Sequence, residues 1–215
     1  MVLRTERCAV VLTICLVLLH ATGCSTQQRM PARSIPARRV CVADFAPGET
    51  DRRVGQSFAR RLAEQIRRLT SGTEVTVASK GSIQGLNAAR TLQQGSIPVN
   101  ALAAAQDRYA ADVVVLGRIT AHDPYFRPTL GVSVMALDAA EGTVLSSTSR
   151  LWDAASPGVK DAVANFYRTA ARQDEKRYGR HIYLVSPGYF RRFAAHSLAR
   201  ELVRDLSRSA PDSGG

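Results

Sequence analysis

Few residues of this sequence combine types and spacings that could do chemistry. His122 and Asp123 are its one adjacent pair of an imidazole and a carboxylate, which could serve a hydrolase as general base and orienting group. Adjacent residues of an extended segment point to opposite sides, which favours a solvated pair at a strand end. Glu64 lies four residues from both Arg60 and Arg68, the spacing of an ordinary salt-bridge ladder on a helix. We therefore predict no catalytic residue.

The usual signatures of enzymes and metal sites are missing as well. The sequence has no phosphate-binding glycine loop that ends in Lys-Ser/Thr, no Gly-x-Ser-x-Gly and no His-Glu-x-x-His. Beyond the N-terminal segment the histidines are His122, His181 and His196, and their spacing is not that of metal ligands. We expect a protein that is not an enzyme and that binds no metal and no cofactor.

The cysteine with the clearest chemical role is Cys24. The chain opens with a short segment that carries two arginines, and an apolar run of 12 residues follows at 8–19. This run is shorter than the roughly 20 residues of a spanning helix and is typical of a secretion signal. Ala-Thr-Gly-Cys at 21–24 resembles a bacterial lipobox, in which the cysteine thiol receives a diacylglycerol, although Ala21 stands where leucine is usual. Residues 1–23 are thus predicted to be a lipoprotein signal peptide; the alternative is an ordinary secretory signal cut nearby.

The remaining cysteines give neither a disulfide nor a metal site in the mature chain. Cys8 and Cys15 leave with the signal peptide, and Cys41 lies in an apolar strand pattern, where a small core residue is expected. Residues 24–38 are polar and contain two prolines, so they are predicted to be the lipidated N terminus and a flexible tether.

One α/β (α+β) domain is predicted over residues 39–208, followed by a disordered tail at 209–215. The 215-residue chain is 45% hydrophobic and 22% charged, enough for a core and unlike a multi-span membrane protein. Periodicity gives the order β-α-β-α-β-β-β-α-α, a mixed sheet with a C-terminal antiparallel hairpin and helices packed on it. The expected strands are 40–45, 73–79, 112–120, 130–136 and 143–152, and the expected helices are 54–69, 86–93 with 98–109, 157–172 and 187–207.

The charge is strongly positive, +11 from 29 basic and 18 acidic residues. We predict that most of it lies on solvated helix faces; the alternative is contact with anionic lipid head groups or acidic envelope polymers. A nucleic-acid partner is not expected, because interleaved aromatic residues and a known binding module are both missing. Much of the charge stands in arginine doublets at 52–53, 60–61, 67–68 and 191–192.

A proline-bounded crossing at 123–128 contains the best candidates for an interface. Its Tyr125, Phe126 and Arg127 cannot all be buried in regular structure, and tyrosine and arginine are common in interfaces. Trp152, at the end of the predicted hairpin, is a further candidate. The alternatives are that the first three cover the sheet edge and that Trp152 packs at the rim of the core.

The strand at 111–119 and the hairpin at 130–134 and 142–145 resemble a group of secreted lipoproteins. The group is built on the soluble core of the curli secretion lipoprotein CsgG and includes the TolB amino-terminal domain, the Pel polysaccharide lipoprotein and outer-membrane activators of peptidoglycan synthases. Its D-x-x-x-G-x-v-l turn is matched by Asp138 to Leu145. The resemblance covers roughly residues 40–206 and implies the group's α/β fold. The long membrane hairpins of the curli channel are missing here, so a pore is not expected.

Together these features predict a non-enzymatic bacterial envelope lipoprotein that acts as an assembly, scaffold or activator module facing the periplasm. The alternative is an oligomeric subunit of a curli- or polysaccharide-type export apparatus in the outer membrane. The expected partners are the membrane, through the lipid on Cys24, and an envelope protein or further copies of the chain. The outer membrane is favoured over the inner one, because Ser25 after the lipidated cysteine resembles a sorting rule of enteric bacteria.

Overall fold

The computed structural model describes residues 39–46, 52–78, 83 and 99–208. All of them belong to the second of two units into which the chain divides, Ala32–Gly215. The predicted signal peptide with Cys24, the tether, the helix at 86–93 and the tail lie outside the described residues. Within the described part of the chain, no helix combines the length and the apolar character needed to cross a membrane.

A five-stranded mixed sheet forms the centre of the domain, in the order β2-β1-β3-β4-β5. β1 is parallel to both β2 and β3, whereas β3, β4 and β5 are antiparallel neighbours. This confirms the predicted α/β class and the predicted C-terminal hairpin. The strands are β1 (Arg39–Val42), β2 (Glu74–Val77), β3 (Val113–Asp123), β4 (Thr129–Asp138) and β5 (Val144–Asp153).

Helices lie on both faces of the sheet. The two longest pack against each other and cover one face, and the alanine-rich α2 covers part of the other. Two four-residue helices precede the last long helix and were not predicted, because a single turn has no apolar periodicity. The helices are α1 (Arg52–Leu69), α2 (Val99–Tyr109), α3 (Pro157–Thr169), α4 (Gln173–Lys176), α5 (Ile182–Val185) and α6 (Pro187–Arg208).

The alternation of each strand divides the buried residues into two cores. In β1, Val40 and Val42 join the larger core, which α1, α3 and α6 complete. Cys41 points the other way, into the smaller core beneath α2, and has no exposed surface. Burial raises the pKa of this thiol to about 11. The prediction that Cys41 is a core residue is confirmed.

The connection from β3 to β4 differs from the predicted crossing. β3 continues to Asp123 and pairs directly with Thr129, so the segment between them is the turn of a hairpin. Proline cannot donate to the ladder, which explains why pairing stops beside Pro124 and Pro128. A β-bulge interrupts the ladder between Ile119 and Ala121.

Gly131, which lies opposite the bulge, leaves the space that the bulged strand occupies. A Cβ on Gly131 would lie 2.5 Å from Thr120 Oγ1, closer than van der Waals contact. Any larger residue at Gly131 would therefore displace the bulged strand, and the position of the hairpin end depends on this glycine.

Candidate functional site

The turn of the β3–β4 hairpin presents two aromatic rings to solvent. Tyr125 is 79% exposed and Phe126 is 89% exposed, the highest values among the large hydrophobic residues that the structure describes. The Arg127 guanidinium carbon lies 5.4 Å from the centre of the Phe126 ring, a cation–π distance. We call residues 125–127 the tip. Two of the three tip residues therefore present exposed aromatic surface, and the guanidinium of the third stacks on one of them.

Local hydrogen bonds hold the tip to the end of the ladder. The Tyr125 backbone N–H donates to Asp123 Oδ1 at 2.9 Å, an Asx-type turn. On the other side, the Ala154 N–H donates to the Pro128 carbonyl at 3.1 Å. Arg127 has a φ of 71°, in the left-handed region that non-glycine residues adopt infrequently. The tip is thus a defined turn at the end of a long hairpin.

Trp152 lies apart from the tip. It pairs with Leu130 across the sheet, is only 8% exposed and belongs to the larger core. This placement agrees with packing at the rim of the core. Its neighbour Leu151 faces the other way and is 66% exposed. Sequence reasoning missed Leu151, although an apolar residue next to tryptophan on an alternating strand has to face outward when tryptophan faces inward.

Leu151 belongs to a largely polar sheet face. Ser133 of β4 and Ser149 of β5 lie opposite each other there, with their hydroxyl oxygens 2.9 Å apart. Since β5 ends the sheet, its outer edge has no partner strand among the described residues. This edge is a second surface at which another chain could add.

His122 and Asp123 do not form a catalytic pair. Asp123 already accepts the Tyr125 N–H, whereas His122 pairs with Leu130 on the helix-covered side. Burial and the nearby charge of Arg191 lower the pKa of His122, although Asp123 opposes this. Because His122 and Asp123 lie on opposite sides of β3, Asp123 does not orient His122 as the partner of a general base would.

His122 belongs instead to a group of basic side chains that the sequence did not bring together. Arg61 of α1 and Arg191 of α6 lie close enough that the charge of Arg61, after burial, lowers the pKa of Arg191. Arg61 Nε, Arg191 Nε and His122 Nε2 are buried without a hydrogen-bond partner, as are Gln65 Nε2, Arg118 Nε and Arg192 Nη2 among the described residues. We call Arg61, His122 and Arg191 the basic cluster. Its members come from three elements far apart in the chain, so no local pattern could reveal it.

The second arginine of the 191–192 doublet has a different environment. Arg192 is 6% exposed and forms an ion pair with Glu175 of α4, itself 7% exposed. The Tyr183 hydroxyl donates to Glu175 Oε2 at 2.6 Å, and burial raises the pKa of this tyrosine to about 12. We call Glu175, Tyr183 and Arg192 the closed ion pair. The prediction of a solvated helix face is wrong for Arg192, because its carboxylate partner lies on a helix that periodicity does not detect.

An open groove of about 570 Å³ lies beside α3, α6 and β5. Arg150 donates to both carboxylate oxygens of Glu201, at 3.0 and 2.8 Å, and Thr148 donates at 3.1 Å. Burial opposes ionisation of Glu201, but these hydrogen bonds outweigh it and lower its pKa. His196 also lines the groove, and burial together with nearby arginines lowers its pKa to about 4. The groove thus offers a fixed carboxylate and a neutral histidine, neither of which is poised to exchange a proton near pH 7.

The described residues contain no group of three or more His, Cys, Asp or Glu side chains that could hold a metal ion. Among the described residues, the tip, the β5 edge and the groove are surfaces that a partner could reach.

Comparison with known proteins gives structural likenesses only, since no family model and no curated protein matches the sequence. The PelC dodecamer from Paraburkholderia phytofirmans is 15% identical, with a TM-score of 0.49 over 85% of this chain and 96% of that one. TolB from Acinetobacter baumannii is 14% identical, with a TM-score of 0.43 over 82% of this chain and 30% of that one. Lipoprotein GNA1162 from Neisseria meningitidis is 14% identical, with a TM-score of 0.41 over 63% of this chain and 99% of that one. PelC and TolB are both among the proteins named in the predicted resemblance.

Proposed function

We propose that this chain is a non-enzymatic envelope lipoprotein, anchored through Cys24, that acts as an assembly, scaffold or activator module. In this proposal the tip is the surface that contacts an envelope protein partner. The observation that carries the proposal is the exposure of Tyr125 and Phe126, 79% and 89%, at the end of an ordered hairpin.

Physical chemistry favours a contact role for such a tip. Burying apolar surface is favourable by about 25 cal/mol for each Å², and two neighbouring aromatic rings in water do not gain this free energy until a partner covers them. Tyrosine, with two χ angles, loses little conformational entropy on binding, and arginine adds charge and planar hydrogen-bonding geometry. The Asp123 turn fixes the backbone of the tip in advance, which reduces the entropic cost of association.

A photo-cross-linking experiment in intact cells tests this role. A benzophenone amino acid replaces Phe126 in the full-length protein, and the same amino acid replaces Tyr178, a 43% exposed tyrosine near α4, as the matched control. We expect a discrete cross-linked product to one envelope protein from position 126 and none from position 178. The same product from both positions, or none from 126, would overturn the role of the tip.

Membrane attachment has its own test. Cys24→Ala removes the thiol that would receive the lipid, so the variant should fractionate away from membranes while the wild-type chain stays with them. Unchanged fractionation would contradict the lipid anchor without bearing on the tip.

An oligomeric subunit of an export apparatus is the second candidate function. The observation that favours it is the outer edge of β5, ten residues long with no partner strand among the described residues. A second copy could extend the sheet there. A benzophenone at Leu151 should then cross-link to the chain itself, and the detergent-extracted protein should elute as a large ring. A monomer with no self-cross-link would exclude this candidate.

A further inference from the structure

The groove beside α3, α6 and β5 combines a charged rim with an apolar floor. Three arginines and one glutamate line it, Arg150 from β5 and Arg200, Glu201 and Arg204 from α6. Its volume of about 570 Å³ lies within the range of cavities that hold ligands. Positive charge is therefore in excess within one continuous space.

The two arginines of α6 differ from Arg150 in having donors to spare. Arg150 already bonds Glu201 through both Nε and Nη2. The guanidinium of Arg200 has no hydrogen bond or ion pair among the described residues, and that of Arg204 approaches Asp205 only at 3.7 Å. Residues four apart on a helix are neighbours on its surface, so Arg200 and Arg204 place two cations side by side on the rim.

The floor between these charges is uncharged and largely apolar. His196 lines it, and burial together with nearby arginines lowers the pKa of this ring to about 4, so that it is neutral near pH 7. Leu69 of α1, Ala162 of α3 and Val203 of α6 supply apolar surface. Leu69 is 36% exposed, whereas Ile66, about one turn earlier in α1, is 1% exposed. The apolar face of α1 thus continues past the core and into the groove.

We propose that this groove binds an acidic, amphipathic segment of a partner protein. A guanidinium can hold a carboxylate with two parallel hydrogen bonds, so Arg200 and Arg204 suit two carboxylates one helical turn apart. An apolar side chain between those carboxylates would cover Leu69 and Val203. A second copy of this chain is a poor occupant, because the chain carries a net charge of +11. No residue of the tip lines the groove, so the two contacts can be tested separately.

Fluorescence anisotropy with the full-length protein in a non-ionic detergent tests the site. The probe is a short fluorescein-labelled helical peptide with leucines on one face and glutamates one turn apart beside them. In the matched peptide, glutamine replaces each glutamate. We expect the glutamate peptide to bind with saturation and the glutamine peptide to bind more than about tenfold more weakly. No saturable binding of the glutamate peptide would overturn the proposal.

Variants locate the binding on the protein. Arg200→Gln and Arg204→Gln each remove a guanidinium from the rim and should weaken binding of the glutamate peptide about tenfold. Arg60→Gln removes the same charge from an exposed position of α1 outside this groove and should bind like the wild type. If one rim variant does not fold, the other carries the comparison. Equal weakening in the rim variants and in Arg60→Gln would show attraction to the overall charge and would contradict the proposal.

The apolar floor has a test of its own. A third peptide keeps the glutamates but has serine in place of leucine, and it should bind the wild type about tenfold more weakly than the leucine peptide. Leu69→Ser should remove most of this difference. Equal affinities of the two peptides for the wild type would leave only an anion-binding rim and would rule out an amphipathic partner segment.

An acidic polysaccharide is the competing occupant. Alginate oligomers carry a carboxylate on each sugar but no apolar side chains, so they should displace the labelled peptide only at much higher concentration than the unlabelled peptide does. Displacement by alginate at the same or a lower concentration would assign the groove to an acidic polymer and exclude the protein segment.

Discussion

Arg191 and Arg192 are neighbours on one helix, yet their surroundings are opposite. Arg192 is 6% exposed and meets the carboxylate of Glu175, which also accepts from Tyr183. Burial and the charge of Arg61 lower the pKa of Arg191. Each arginine keeps one buried nitrogen without a hydrogen-bond partner, Nε in Arg191 and Nη2 in Arg192. The two surroundings therefore differ in the buried carboxylate, which pairs with Arg192 and not with Arg191.

The largest expected effect comes from breaking the closed ion pair. Arg192→Gln leaves the Glu175 carboxylate buried without its cation, which should lower the free energy of unfolding by about 3–5 kcal/mol. Urea denaturation measures the loss. Arg191→Gln is the natural control and should stay within about 0.5 kcal/mol of wild type, or above it. Equal losses in the two variants would remove the contrast between the regions.

The second effect is a dependence of stability on pH. Burial and the charges of Arg200, Arg192 and Arg68 lower the pKa of His196 from 6.5 to about 4, and its Nδ1 donates to Gln65 Oε1 at 3.0 Å. Between these two pKa values, His196 is protonated in the unfolded chain but not in the folded chain. Stability is therefore full above pH 6.5 and falls as the pH drops to 4, by up to about 3 kcal/mol.

Denaturation curves at several pH values check the contribution of His196. His196→Gln retains a polar side chain but cannot take up the proton, so its stability should change less between pH 6.5 and 4. Identical pH profiles for the variant and the wild type would show that His196 does not carry the dependence.

A smaller effect comes from Tyr183, within the closed ion pair. Tyr183→Phe removes the hydroxyl that donates to Glu175 Oε2 and should cost roughly 2 kcal/mol, because hydrogen bonds to charged groups contribute more than neutral ones. Tyr167→Phe is the matched control, since this hydroxyl donates to the neutral Lys176 carbonyl at 2.8 Å. We expect about half the loss in the control. A larger loss of stability in Tyr167→Phe than in Tyr183→Phe would contradict the expectation that the hydrogen bond to the Glu175 carboxylate is the stronger one.

The smallest effect is expected at Cys41, in the core beneath α2. Its pKa of about 11 leaves roughly one thiolate in 10⁴ at pH 7, and the side chain has no exposed surface. A thiol reagent should therefore label it only when the sheet opens, with Cys41→Ala as the blank. Fast labelling in native buffer would show that this core is looser than the larger one.

Sequence patterns predicted the elements that have an apolar period or a turn signal. The valine-rich β3, the Asp138 to Leu145 turn and the long helices α1 and α6 each have a period or a turn signal, and all were found. The four-residue helices α4 and α5 have none. The partners of Arg191 and Arg192 depend on those helices and on strand register, so neither the closed ion pair nor the basic cluster could be derived from local spacing. The tip was predicted because its prolines are visible in the sequence itself.

The β-bulge of β3 has a consequence for the sign of charge at one end of the domain. In unbroken alternation from Ile119, which faces the helices, the next residues on that side would be Ala121 and Asp123. Thr120 is the extra residue of the bulge, so Ala121 pairs with Gly131 and His122 takes the helix side instead. If Thr120 were a regular member of the ladder, Asp123 would take this side. The bulge thus decides whether an imidazole or a carboxylate faces the helices at this end of the sheet.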